Sequence, residues 1–226
     1  MAYETIGLGM EMALLDTTVH IHRVVDDALK RAAENPVHLA EQLRIHYGVF
    51  PGLLRTLIDV HGTEGKRQII ADNLHEEDGG GDGSRDHRVM YDRFLSSARS
   101  TFGEGRIPSA LPEGGNPFSM AIAVGNAMQS VVSSQPYPTA VGAVYGLELR
   151  APHQMEQIRN FYHKLGGSAL DLEFFDIHMV DDVEHTEQFR ELLVAEVRTP
   201  RDLFDAQRGL DLTVVTDQQF WLSVQA

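Results

Sequence analysis

The segment "DIHMVDDVEH", residues 176–185, sets two imidazoles and a carboxylate four and three residues apart: His178, Asp182 and His185. On a helix those steps bring the three side chains within an arc of roughly 60°. Phe174, Phe175, Phe189, Leu192 and Leu193 share that face. An apolar stripe therefore runs into a polar trio and resumes beyond it. Burying such groups without partners costs several kcal/mol. Three arrangements can hold them. One is a core network in which each histidine bonds to backbone or carboxylate. Another is a solvated polar face, with the stripe misplaced. The third is a metal site, where one helix supplies His-x3-Asp-x2-His and other helices complete the shell. A lone histidine on an apolar face favours the first. Two histidines and an aspartate together favour the third.

Other segments offer the missing ligands. Glu148 stands among Val144, Tyr145, Leu147 and Leu149 in "AVGAVYGLELRA", with Arg150 turning that end toward solvent. Glu76 and Glu77 close the helical pattern "GKRQIIADNLHEED", and His87 opens the next. The glycine run between them follows a helix rather than a strand and lacks the Gly-Lys-Ser/Thr of a phosphate loop. It reads as a turn that lets Glu77 and His87 face one centre. Three carboxylates and three imidazoles suffice for two divalent cations, and N/O ligation without sulfur suits iron or manganese.

The elements that must position these groups are helical. Amphipathic patterns cover residues 19–35, 37–62 (with a kink at Pro51), 65–78 and 84–102. Residues 103–116 read as a surface loop. A helix starts at Asn116–Pro117, a small-residue run covers 139–151, and a further helix starts at Pro152. Residues 171–197 form the longest uninterrupted pattern. The last segment, from Pro200, contains "LDLTVV", which has no partner strand and is assigned to helix. The expectation is an all-α bundle of about eight helices in one domain, residues 1–226.

The 226 residues carry a formal net charge of −14 and no cysteine. Such a charge repels nucleic acid and anionic lipid, so neither is an expected partner. Missing cysteines exclude disulfides, thiolate metal sites and cysteine nucleophiles. No apolar run reaches the ~18 residues of a membrane span, and "MAYETIGLGMEMALLD" lacks a basic secretion-signal start. The expected location is the cytoplasm. A homodimer is left open.

Three segments in order, "EEDGGGDGSRDH" (76–87), "YGLELRAP" (145–152) and "FFDIHMVDDVEH" (174–185), resemble the heme-oxygenase-like diiron oxidases and oxygenases. These are also described as iron-containing redox enzymes and relate to the TenA and PqqC fold. The resemblance spans about residues 36–195. It implies a heme-oxygenase-like helical bundle, two Fe(II) per chain, and Glu77, His87, Glu148, His178, Asp182 and His185 as ligands. Glu76 for Glu77 and Asp181 for Asp182 stay open. Some relatives add a carboxylate from the preceding helix. Here only Asp59 and Glu41 are at hand, in no matching motif.

The resemblance also implies that O2 is a co-substrate and that the small-molecule substrate is amino-acid-like or a carboxylate, in a biosynthetic pathway. Oxidative cleavage, desaturation and N-oxygenation all belong to the family. Fold and metal do not select among them. Tyr145, one turn before Glu148, is placed to face the metals. His46, Tyr47 and Phe174 are placed to line a cavity, although plain core packing is the simpler role for each. A ferritin-like bundle would need two carboxylate-x-x-His pairs, which Asp72/His75 and Asp182/His185 supply formally while leaving His87 and His178 unused. A non-catalytic binding protein of the same fold is the other alternative.

Overall fold

The computed structural model describes residues 21–62, 64–105 and 116–224. In chain order the helices are α1 (21–32), α2 (Pro36–Tyr47), α3 (Phe50–His61), α4 (Glu64–Glu77), α5 (His87–Phe102), α6 (Ser119–Ser134), α7 (Tyr137–Gly166), α8 (Glu173–Glu196) and α9 (Pro200–Ser223). A single 3-10 turn, Gly167–Ala169, joins α7 to α8. No strand occurs among the described residues. The "LDLTVV" segment lies inside α9, whose start is fixed by a capping box between Thr199 and Asp202. The N-terminal segment and most of the expected 103–116 loop lie outside the described residues.

Two boundaries differ from the sequence expectation, both at proline. The pattern over 37–62 is two helices, not one kinked helix. Gly48 and Val49 separate them, and Pro51 sits in the first turn of α3, where its missing N–H loses no bond. Conversely, α7 does not restart at Pro152 but runs 30 residues straight through it. Burial on both sides of the proline outweighs one lost backbone bond: Val141, Val144 and Tyr145 before it, Met155, Ile158 and Tyr162 after it. A smaller shift occurs at α6, which begins at Ser119. Asn116 instead holds the lead-in turn, accepting the Phe118 N–H at 2.9 Å.

Helix α7 is the spine, packed along both α8 and α9. The α7–α9 approach depends on two glycines. A Cβ at Gly142 would strike the Ala206 backbone, and one at Gly209 would strike the Thr139 carbonyl and the Ala143 nitrogen. Gly209→Ala is expected to destabilise the chain by about 2 kcal/mol, although alanine favours a helix by about 1 kcal/mol. Gly52→Ala is the control, because its Cβ would meet only the Gln129 side chain at 4.0 Å. Thermal melts showing Gly209→Ala as stable as the parent chain would mean that α7 and α9 can separate freely.

Among the described residues no helix is long and apolar enough to cross a membrane.

Candidate metal centre

The turn after α4 carries Gly79, Gly80 and Gly81 at φ of 90°, 62° and 91°, a region that side chains disfavour. At Gly79 a Cβ would also collide with the Asp82 carbonyl and the Asp86 nitrogen. The chain thus reverses tightly, and Asp86 caps α5 by accepting the Arg88 N–H. The result sets the carboxylate of Glu77, at the end of α4, 3.0 Å from Nδ1 of His87, at the start of α5.

Helix α8 turns His178, Asp182 and His185 inward, and α7 brings Glu148 to meet them. All six side chains are buried. They fall into two triads whose ligand atoms lie within 4.8 Å of one another: Glu77, His87 and His178 in one, Glu148, Asp182 and His185 in the other. The His87 and His178 rings are 4.4 Å apart. His178 donates its Nδ1–H to the Phe174 carbonyl at 2.6 Å, which leaves Nε2 as a lone pair. His185 is held by its other nitrogen, with Nε2 2.8 Å from a Glu76 oxygen. Its Nδ1 then points at Asp182 and Glu148, 3.5 and 3.7 Å away.

The alternatives left open in the sequence separate here. Glu77 is buried beside His87, whereas Glu76 is half exposed and grips the back of His185. Asp182 is buried and Asp181 only partly so. Asp59 is exposed, and Glu41 pairs with Arg99 at 2.7 Å, so neither joins the cluster. Asp72 and His75 are both exposed, which removes the ferritin-like pairing.

A cavity of about 370 Å³ opens against five of the six residues, Glu77, His87, Glu148, His178 and Asp182. His46, Tyr47 and Phe174 line it as expected. Tyr145 does not; it is buried in the apolar cluster that holds Leu57, Phe189 and Leu192. Nor does Arg150 turn toward solvent. It is 2% exposed and pairs with Asp217 at 3.2 Å, in a cluster with Gln154 and His46 that sequence reasoning missed. A signal existed: Asp217 interrupts the stripe of Val214, Phe220 and Trp221 much as the trio interrupts α8.

The residues fit divalent cations on the evidence of their own unmet contacts. Oε1 of Glu148 and Nδ1 of His185 are buried with no hydrogen-bond partner. A lone pair from each, aimed at a shared point, is what a cation satisfies. Burial pushes the Glu148 carboxyl well above the usual carboxylate range, and the Asp182 charge adds to it. For Glu77, burial pushes upward too, but the His87 bond and nearby imidazoles hold the carboxyl below its ordinary value. Burial lowers His185, yet Asp182, Glu148 and Glu76 outweigh it and raise the imidazole to about 10.

His185 accordingly holds a proton near neutral pH in the metal-free chain, and a cation bound there would displace it. The sign follows. His185 has a folded value above its ordinary 6.5, so its proton stabilises the metal-free fold below pH 6.5 and that contribution is lost as pH rises toward 10. Glu148, also raised, adds a loss of the same sign that begins at its ordinary 4.5. The metal-free melting temperature should fall over that window while divalent-metal affinity rises, by up to about ten-fold per pH unit for each proton displaced. Titrations across a pH series check this. A pH-independent affinity would contradict proton displacement.

A family model described as iron-containing redox enzyme matches residues 37–214. The chain belongs to that family. Two crystal structures of a CADD-like protein of unknown function from Nostoc punctiforme share its fold. The 2.00 Å structure has a TM-score of 0.60 at 21% identity, covering 92% of this chain and 96% of that one. For the 1.35 Å structure the TM-score is 0.62 at 16% identity, covering 99% and 94%. No curated protein matches the chain. The all-α heme-oxygenase-like bundle expected from the sequence is the fold of this family member.

Proposed function

We propose that the chain is a non-heme diiron oxidoreductase that uses O2 to oxidise a small amino-acid-like or carboxylate substrate in a biosynthetic pathway. The observation that carries this is the pairing of two buried N/O triads against one cavity. Family membership supports iron as the metal. Glu77, His87 and His178 would hold one ion, and Glu148, Asp182 and His185 the other. When bound, the iron pair supplies the electrons that reduce O2.

The chain's own residues do the rest. The Phe174 carbonyl fixes the His178 tautomer so that Nε2 faces the centre. Glu76 orients His185 from behind, the kind of outer partner whose loss typically costs 10–100-fold in metal affinity. Val124, Met128, Leu147 and Phe174 give the cavity an apolar wall that limits water near the reacting atoms. At about 370 Å³ the space is at the small end of ligand pockets, roughly 300–1,000 Å³, and suits a metabolite rather than a polymer. The charge of −14 favours the same choice.

The test is O2 uptake by anaerobically Fe(II)-loaded chain, measured with an oxygen electrode against free Fe(II). Uptake above the free-iron rate is expected even without substrate, and faster with it. A rate no greater than that of free iron would reject the oxidase.

A further inference from the structure

Away from the cavity, α1 and α7 face each other with the same spacing on both sides. On α1, His22 and Asp26 stand one turn apart; on α7, His153 and Gln157 do, with Glu156 beside them. The His22 and His153 rings meet with centroids 3.7 Å apart, tilted by 44°. One turn along, Gln157 Nε2 donates to the His22 carbonyl at 3.1 Å and to the Asp26 carboxylate at 2.7 Å. None of these residues lines the cavity or belongs to a triad.

The contacts leave lone pairs over. Both partners of the Gln157 amide nitrogen are acceptors, so the amide has one orientation and Oε1 is the atom that remains. That Oε1 and Nε2 of His22 are buried without a hydrogen-bond partner among the described residues. Burial first, then the His153 ring, holds the His22 imidazole down at about 4, so it is neutral at pH 7 and keeps a lone pair. Asp26 opposes that shift. Arg150 adds to it, but its charge is paired with Asp217 at 3.2 Å. The Glu156 carboxylate lies 3.6 Å from Nδ1 of His153, which favours the hydrogen on that nitrogen and leaves Nε2 as a second imidazole lone pair.

Packing between two helices asks for none of this. Two imidazoles and an amide oxygen, set together with their lone pairs unmet and two carboxylates a turn away, are what a cation satisfies. Imidazole nitrogens suit zinc, nickel or copper, whereas calcium and magnesium want oxygen alone. We propose that His22, His153 and Gln157 Oε1 bind a divalent transition-metal ion such as Zn(II), with water completing the shell, and that the ion clamps α1 to α7. The His153 side chain is 47% exposed, so the ion enters from solvent. Only that exposed ring has to rotate for each nitrogen to lie about 2.0–2.1 Å from the ion. The site is separate from the six-residue centre and does not rest on the oxidase reading.

The experiment adds Zn(II) in slight excess to the anaerobic Fe(II)-loaded chain, then measures zinc and iron on the desalted protein. One zinc per chain is expected, with iron unchanged. His153→Ala should weaken zinc binding by more than the roughly 10–100-fold that an outer partner of a metal ligand is worth. His163→Ala, at an exposed histidine further along α7, should leave it as it was. His153→Phe keeps a ring against His22 and removes only the lone pair, so it serves if the alanine variant folds poorly. Zinc should also raise the melting temperature of the parent chain and not that of His153→Phe. Because parent and variant share the triads, their difference in zinc counts this site alone, whatever iron the chain holds. No zinc uptake, uptake undiminished in both His153 variants, or zinc gained only as iron is lost overturns the proposal.

Discussion

His185→Ala should bind about one Fe(II) per chain and lose O2 uptake, while folding normally. The two triads share no residue, so removing His185 dismantles the Glu148–Asp182 site and leaves Glu77, His87 and His178 intact. Affinity at the broken site should drop by more than the roughly 10–100-fold that outer partners such as Glu76 are worth. Asp182→Ala should behave alike, and His178→Ala should spare the opposite site. Folding survives because a metal-free ligand set repels itself. Glu148, Asp182 and Glu77 crowd one another, and deleting one member relieves part of that cost. Iron analysis and a thermal melt on each variant check this. Variants that melt far lower yet keep both irons would make the six residues a structural network.

Amide exchange around residues 174–190 of α8 should be fast without iron and slow with it, and the change should exceed that in any other helix. On this stretch three turns of the inward face carry His178, Asp182 and His185 in place of apolar groups, so burial supplies less of the local stability. Outward-facing Val180 and Val183, 69% and 60% exposed, add little. Metal binding would then provide much of the energy that orders the segment, about 4 kcal/mol when the metal stands at a thousand times its dissociation constant. Hydrogen exchange with and without Fe(II) decides the matter. Equal protection in both states would mean that packing alone holds α8.

The helices were legible because their patterns are long and the apolar spacing is regular. Where the reading failed, tertiary packing overrode a local signal. Pro152 is a helix stop by local rules, yet α7 is buried on both sides of it and continues. At Pro51 the continuous flanking stripe suggests a kink, but the break falls at Gly48–Val49 instead. The grouping of six residues was legible because the trio on α8 interrupts a stripe, and interruption is visible in one dimension. Which carboxylate of Glu76 and Glu77 faces inward was not, since adjacent residues at a helix end are separated only by how the following turn closes. Arg150 misleads for a related reason. An arginine at a helix position signals solvent unless its partner is known, and Asp217 is 67 residues away.

Anaerobic titration of the metal-free chain with Fe(II), followed optically and by iron analysis of the washed protein, tests the central claim most directly. Two irons per chain, saturating at two equivalents, is the expected result. Saturation at one, or retention of none, would contradict the dinuclear centre while leaving the helical fold as described.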